Sequence, residues 1–413
     1  MKKVISYLLM LALVLSCGTR KKAAESASDR QVESKAAVQE APVSRPAGKG
    51  AVPKRDFGGR EGVAIDLLRI VSAKAGPEEN VVVSPHGVGV ALSMLQEGAG
   101  GDTWTAIGKA LRSQRYADQP FYSDSLNIVE SANSVWIRDG FSVYDDYKNV
   151  LSESYRAQVE VRDFSSPELP KEINRWCSLQ TRGRIPSIIG KVDPLTVMYL
   201  INALYFKAPW QYPFSESSTM PEKFYGAGGT EIAQLMHRSA KFGYVEKGGC
   251  QIAMLPYKGW NYGMLVVLPS VGSSPDKVLS QATFADWREV RESLSYDNKV
   301  ILSLPKFRLE QSHLLNSAIS EMGAGEIFSP LANLSRISRE QLSVSQVLQK
   351  CFIEVGEKGT EAAAVTAVVV GLTSAAPVVS NPVVMRVDRP FLFAIVDMRD
   401  FDILFAGKIA SVE

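Results

Sequence analysis

Histidine and cysteine are scarce in this chain, at three and four among 413 residues. None of the histidines, His86, His237 and His313, has a carboxylate or a cysteine beside it in the sequence, so none suggests a general base or a ligand set. Each reads as a structural or surface side chain. The cysteines at 17, 177, 250 and 351 are too widely and unevenly spaced for a metal-ligand pattern or a disulfide framework. Cys177, Cys250 and Cys351 are expected to be buried structural thiols. No metal or cofactor is implied. The sequence also lacks Gly-x-Ser-x-Gly, His-Glu-x-x-His, the phosphate-binding Gly-x-x-x-x-Gly-Lys-Ser/Thr and Gly-x-Gly-x-x-Gly. Triads assemble from distant positions, so missing motifs do not exclude an enzyme, but nothing recommends one.

Charge of one sign is missing too. The formal net charge is +2, and the region after residue 56 holds no dense basic cluster interleaved with aromatics, so nucleic acid is not an expected partner. The strongest basic run, Arg20-Lys-Lys22, reads as a solvated tail. The apolar run from Val4 to Leu15 follows Met1-Lys-Lys and is shorter than the ~20 residues a bilayer-spanning helix needs, so a signal peptide is expected. It ends in Leu13-Val-Leu-Ser-Cys17, which resembles the lipobox of bacterial lipoproteins. That resemblance implies removal of residues 1–16 and lipid on Cys17. Gly18 after it favours the outer membrane, facing either the periplasm or the cell surface. The alternative is an ordinary cleavage site with an incidental cysteine. Residues 17–55, rich in Ala, Ser, Lys, Glu, Gln and Pro, cannot bury enough apolar surface to order themselves and read as a flexible tether. A folded domain is expected over 56–413.

Within that domain, Ala64, Leu67, Leu68 and Val71 follow the i, i+3, i+4, i+7 spacing of an amphipathic helix. Val88, Ala91, Leu92 and Leu95 repeat it after the strand-like Val81-Val-Val83. Strands are expected at Ser134–Ile137, Met264–Leu268, Val300–Leu304 and Val347–Glu354. A hairpin is expected from Phe391–Val396 and Ile403–Ile409 around Arg399-Asp-Phe-Asp402. Helices dominate early and strands late, which favours α+β over a regular βαβ winding.

The most informative stretch begins at Glu354-Val-Gly-Glu-Lys-Gly-Thr-Glu-Ala-Ala-Ala364 and runs through small and β-branched residues to Pro377. At period two, Thr360, Ala362, Ala364, Thr366, Val368, Val370 and Leu372 share one face of a strand. All are uncharged, so that face enters an interior without stranding a charge. Taken alone, the stretch also fits a buried strand followed by a turn. Its first half, Glu357-Lys-Gly-Thr-Glu-Ala-Ala-Ala364, resembles the hinge of the reactive-centre loop of inhibitory serpins. Companion motifs follow in family order: Asn80-Val-Val-Val-Ser-Pro85, Ala91-Leu-Ser-Met-Leu95 with Gly98-Ala-Gly100, and Thr181-Arg-Gly-Arg-Ile-Pro186. Later come Asn202-Ala-Leu-Tyr-Phe-Lys207 with Trp210, Leu304-Pro-Lys-Phe307, Asp388-Arg-Pro-Phe-Leu-Phe393 and Ile403-Leu-Phe-Ala-Gly407.

The resemblance implies one large α+β domain of three β-sheets surrounded by helices, with an exposed reactive-centre loop. It also implies a suicide inhibitor, monomeric, whose partner is a serine protease held covalently. In that family the protease cuts the loop and forms an acyl-enzyme. The cut loop then inserts as a new strand of the largest sheet and drags the protease to the far pole. The hinge would comprise Glu357, Gly359, Thr360, Glu361, Ala362, Ala363 and Ala364. Family spacing places the reactive bond at Thr373-Ser374, flanked by Leu372, Ala375 and Ala376. Ser84, Asn202, Trp210 and Gln349 would lie in the region that controls sheet opening. Two departures stand there, Gly87 where the family usually has serine and Gln349 where it usually has histidine. The second function class is a serpin-fold protein that binds or carries a ligand and traps no protease.

Overall fold

The computed structural model describes residues 59–116, 121, 123–361 and 382–412. Cys17, the 17–55 segment, Ala362, Ala363, Ala364, Leu372, Thr373, Ser374, Ala375 and Ala376 lie outside the described residues. Eight α-helices are described: α1 (Arg60–Ala75), α2 (Pro85–Gly98), α3 (Gly101–Ala110), α4 (Asp145–Tyr155), α5 (Leu169–Gln180), α6 (Pro275–Gln281), α7 (Phe284–Ser293) and α8 (Asn316–Ile319). The first strands are β1 (Val81–Val83), β2 (Ile128–Arg138), β3 (Gln158–Arg162), β4 (Met198–Pro209), β5 (Thr219–Gly226), β6 (Gly229–Ala240), β7 (Gly243–Lys247) and β8 (Cys250–Pro256). The later ones are β9 (Tyr262–Pro269), β10 (Val300–Pro305), β11 (Phe307–Leu314), β12 (Gln346–Gly356), β13 (Gly359–Thr360), β14 (Val383–Arg386), β15 (Phe391–Asp397) and β16 (Ile403–Ile409). None of the described helices is long and apolar enough to cross a membrane.

The strands form three sheets, as the family resemblance implies. Their orders are β1-β16-β15-β9-β8-β7, β14-β10-β6-β5 and β11-β12-β13-β4-β2-β3. The expected hairpin is β15–β16, with a register shift between Ile395 and Val396. Both its strands are buried along their whole length, so the sequence there is nearly continuous in apolar residues rather than alternating, with Asp397 and Lys408 the charged exceptions. Each internal strand expected from sequence is present and longer than its window. The two amphipathic spacings fall on α1 and α2, but α2 is buried nearly all round, not along one stripe. The Ser84 hydroxyl caps it by accepting from Gly87 N, with Pro85 as the first helical residue.

The third sheet is covered on both faces. Even-numbered residues of β4 such as Leu200, Leu204 and Phe206 point into the two main cores. The alternate residues Tyr199, Ile201 and Ala203 pack beneath α5 with Ile173, Trp176 and Cys177. Thus α5 and the chain leaving it lie over the outer face of this sheet.

Candidate functional site

The site follows from how β12 ends. A tight turn at Glu357 and Lys358 reverses the chain, and β13 comes back antiparallel, pairing Val355 with Thr360 and Gly356 with Gly359. On its other side β13 pairs antiparallel with β4, Thr360 opposite Ala208 and Gly359 opposite Pro209. The start of the hinge therefore already lies within the sheet, wedged between β12 and β4. At Gly359 the wedge is so tight that a Cβ would stand 2.2 Å from Ala208 O, at a φ of +154°. Only glycine fits there.

Thr360 is wholly buried, and its hydroxyl lies 2.5 Å from the Tyr257 hydroxyl. The Tyr257 ring stacks on Trp210 with centroids 4.4 Å apart. Trp210 in turn donates its indole N–H to Gly356 O (2.9 Å) and its backbone N–H to Lys358 O (2.9 Å). Glu357 anchors the turn, pairing with Lys306 Nζ (3.0 Å) and accepting from the Thr219 hydroxyl (3.0 Å). Burial pulls its pKa upward, but its own backbone hydrogen bond, Lys306 and Thr219 hold it below the usual carboxylate range.

Beyond the wedge the sheet closes only gradually. β12 and β4 pair directly, in parallel, from Gln346–Tyr199 to Cys351–Leu204. Among the described residues no ladder joins Phe352, Ile353 and Glu354 to Tyr205, Phe206 and Lys207. Continuing the register of β13 by one residue would set Glu361 level with Glu354 and Lys207. Its backbone N–H already donates to Glu354 O (2.7 Å). Instead of extending, however, Glu361 takes a left-handed φ of +47°, and its side chain is 5% exposed. Alternation assigns Glu361 to the outer face, where solvent is expected; the fold buries it. Burial raises its pKa, against the pull of Arg184, Tyr205 and Lys207.

Midway along the same seam, Ser84, Asn202 and Gln349 meet, all at most 1% exposed. The Gln349 amide accepts from Ser84 N (2.8 Å) and donates to Ser84 O (2.9 Å) and Asn202 Oδ1 (3.1 Å). Asn202 donates to Asn133 Oδ1 (2.8 Å), which extends the network to β2. The two departures from the family pattern fit each other. A Cβ on Gly87 would lie 1.9 Å from Asn202 Oδ1, so the asparagine occupies the space a serine would take. The glutamine amide supplies both a donor and acceptors across the seam. Removing it would strand buried backbone and amide groups at about 1–3 kcal/mol apiece. Trp210 does not join this group. It stands at the hinge end, just past the end of β4 and eight residues from Asn202, or roughly 26 Å at strand rise.

Two histidines have carboxylate partners that sequence adjacency did not reveal. His86 Nδ1 lies 3.0 Å from Asp402, and His237 bridges Ser303 and Glu222 at 2.9 Å each. The first joins α2 to the β15–β16 turn and the second joins β6 to its neighbours β5 and β10; no reacting geometry surrounds either among the described residues. Cys177, Cys250 and Cys351 are buried and free, and burial pushes the Cys177 thiol up to about 12. Tyr257 and Arg184 escaped the sequence reading as hinge contacts, because their partners lie more than a hundred residues away in sequence.

Comparison with known proteins gives a consistent picture. The family model for serpin (serine protease inhibitor) matches residues 59–412. An uncharacterised serpin-like protein of Thermococcus kodakarensis is 35% identical over 359 residues, 82% of each chain. The leukocyte elastase inhibitor of Equus caballus is 32% identical over 372 residues, 84% of this chain and 97% of its own. Among solved structures, the native state of the thermophilic serpin tengpin matches with a TM-score of 0.80 at 26% identity. That match covers 89% of this chain and 97% of tengpin.

Proposed function

The chain belongs to the serpin family, and from that premise we propose that it is a suicide inhibitor of elastase-like serine proteases. The observation carrying this is the wedge of Gly359 and Thr360 between β12 and β4, with the ladder beyond it still unmade. Such a sheet is ready to lengthen β13. Insertion of about fourteen residues at ~3.3 Å each carries the acyl link roughly 45 Å. The inward positions from Thr360 to Leu372 bear no charge or aromatic ring to block entry.

Specificity comes from Val370-Gly-Leu-Thr-Ser-Ala-Ala376, which has no Arg, Lys or aromatic side chain. A trypsin-like pocket would keep its buried carboxylate unpaired against any of these residues, at roughly 1–3 kcal/mol. A shallow pocket accepts Thr373, Ala375 or Ala376 equally well. The similarity to a leukocyte elastase inhibitor points the same way. We expect incubation with elastase-, chymotrypsin- and trypsin-like enzymes to give a covalent complex on a denaturing gel with the first. Mass spectrometry of the released peptide should place the cut within Leu372 to Ala376. A cut elsewhere, or rapid inhibition of trypsin with none of elastase, overturns the assignment.

Carriage of a small apolar ligand is the alternative, favoured by a cavity of about 320 Å³ between α1, α7 and the first sheet. Leu68, Ile252, Leu265, Leu392 and Ile403 line it, together with Trp287, whose buried indole N–H has no partner among the described residues. Clean cleavage without a complex by proteases of every specificity decides against the inhibitor and leaves the carrier reading.

The location proposed is the bacterial outer membrane, through lipid on Cys17. Two or more acyl chains there give stable attachment where one does not. Cys17→Ala should move the protein to the soluble fraction. Its recovery with membranes at unchanged yield counts against the anchor.

A further inference from the structure

The Thr181-Arg-Gly-Arg-Ile-Pro186 stretch has no role in the mechanism above, yet it is built as a rigid support. It closes α5 with a turn in which the Thr181 hydroxyl donates to Cys177 O (2.8 Å) and accepts from Ile185 N (3.0 Å). Gly183 N donates to Ser178 O (2.7 Å), with Arg182 and Gly183 at φ +52° and +77°. Ile185 is fully buried and pins the turn over the outer face of the third sheet. Arg182 pairs with Glu130 of β2 (2.6 Å), and Lys350 of β12 donates to Ser187 O (2.8 Å). Both strands flanking β4 and its seam thus hold the segment in place. Arg184 projects from this support and forms an ion pair with Glu361, the residue at which the chain leaves the sheet.

We propose that Arg184 is a positioning residue for loop insertion: it holds the Glu361 carboxylate on the outer face of the sheet and so sets the register in which the loop enters. The inference rests on the inhibitor reading and names a residue that controls it. In a strand, successive side chains alternate, so a slip of one residue exchanges the two faces. With Glu361 held outward beside Arg184, and Lys207 level with it, Thr360, Ala362 and Ala364 are directed inward. In the slipped register Glu361 would enter the apolar core unpaired. The pair also restrains Glu361 in its left-handed turn until cleavage frees the loop. Extension of Glu361 relieves that conformation and leaves its carboxylate beneath the same guanidinium.

Two measurements on the full chain test this. Hydrogen exchange of the 355–361 segment in the intact protein should speed up about tenfold in Arg184→Ala, because the hinge loses its anchor. The stoichiometry of protease inhibition should rise several-fold as insertion loses its race with deacylation. Arg184→Lys should recover most of both effects. In a Glu361→Gln background, Arg184→Ala should add nothing further. Unchanged exchange, unchanged stoichiometry, or an equal effect of Arg184→Ala in the Glu361→Gln background overturns the proposal. If the wild-type protein traps no protease, the inhibitor reading fails, and hinge exchange alone then decides whether Arg184 holds Glu361.

Discussion

Thr360→Arg turns this protein from an inhibitor into a substrate. Thr360 is 0% exposed, lies between Val355 and Ala208, and touches the Tyr257 hydroxyl, with no acidic group on its inward side. A guanidinium there must be desolvated without a partner, at a cost of several kcal/mol. Each 1.4 kcal/mol is about a factor of ten in rate, so insertion slows roughly a hundredfold or more. Deacylation does not depend on insertion and wins. The expected readouts are loss of the covalent band, accumulation of cut loop, and recovery of protease activity after a transient delay. Thr360→Ser, which keeps a small hydroxyl, should still trap. Complex formation by the arginine variant at the wild-type stoichiometry shows that position 360 does not face inward during insertion.

Cleavage within the loop should raise the unfolding temperature, whereas an ordinary protein is weakened or unaffected by a nick. In the uncut state β12 and β4 are joined by a parallel ladder from Gln346 to Cys351, and the rungs between that ladder and β13 are unmade. An inserted strand replaces this with antiparallel pairing on both sides and adds on the order of ten backbone hydrogen bonds, at about 1 kcal/mol net each. It also buries the apolar inward residues. A domain of about 350 residues has an unfolding entropy near 0.7 kcal/mol/K, so the gain corresponds to roughly 10–20 °C. Thermal melts of intact and nicked protein at one pH check this. The absence of an upward shift means the loop stays outside the sheet. The nicked Thr360→Arg variant should gain less than the nicked wild type.

Both expectations depend on a native state held above its most stable arrangement by a kinetic barrier. On the inhibitor reading, the seam between β12 and β4 is where that barrier is expected to lie. Gln349, Ser84 and Asn202 close its middle, while Trp210, Tyr257 and Thr360 hold its open end. Opening from the hinge therefore meets the Gln349 network only after the unpaired stretch is filled. A glutamine does not change charge with pH as a histidine would, so this lock should be less sensitive to mild acid.

Several features were legible from residue order alone, because they depend on neighbours in sequence. Period-3.6 spacing marked α1 and α2, and short apolar runs marked the buried strands, whose apolar surfaces must be covered in any fold. The absence of charge at alternate positions from Thr360 to Leu372 marked one strand face able to enter an interior, and the ordered motifs marked the family. Other features were decided only in three dimensions. Alternation leaves Glu361 off the inward face, but only the turn after α5 buries it against Arg184. Gly87 and Gln349 looked like two separate departures, yet Asn202 fills the space left by the first and bonds to the second. The carboxylates beside His86 and His237 come from strands β5 and the β15–β16 turn. Most tellingly, sequence had Thr360 entering the sheet after cleavage, whereas β13 already holds it there. Local pattern specifies which side chains can be buried. Which groups share a buried space, and how far a strand has already inserted, depends on pairings between residues far apart in the chain, and only packing brings those together.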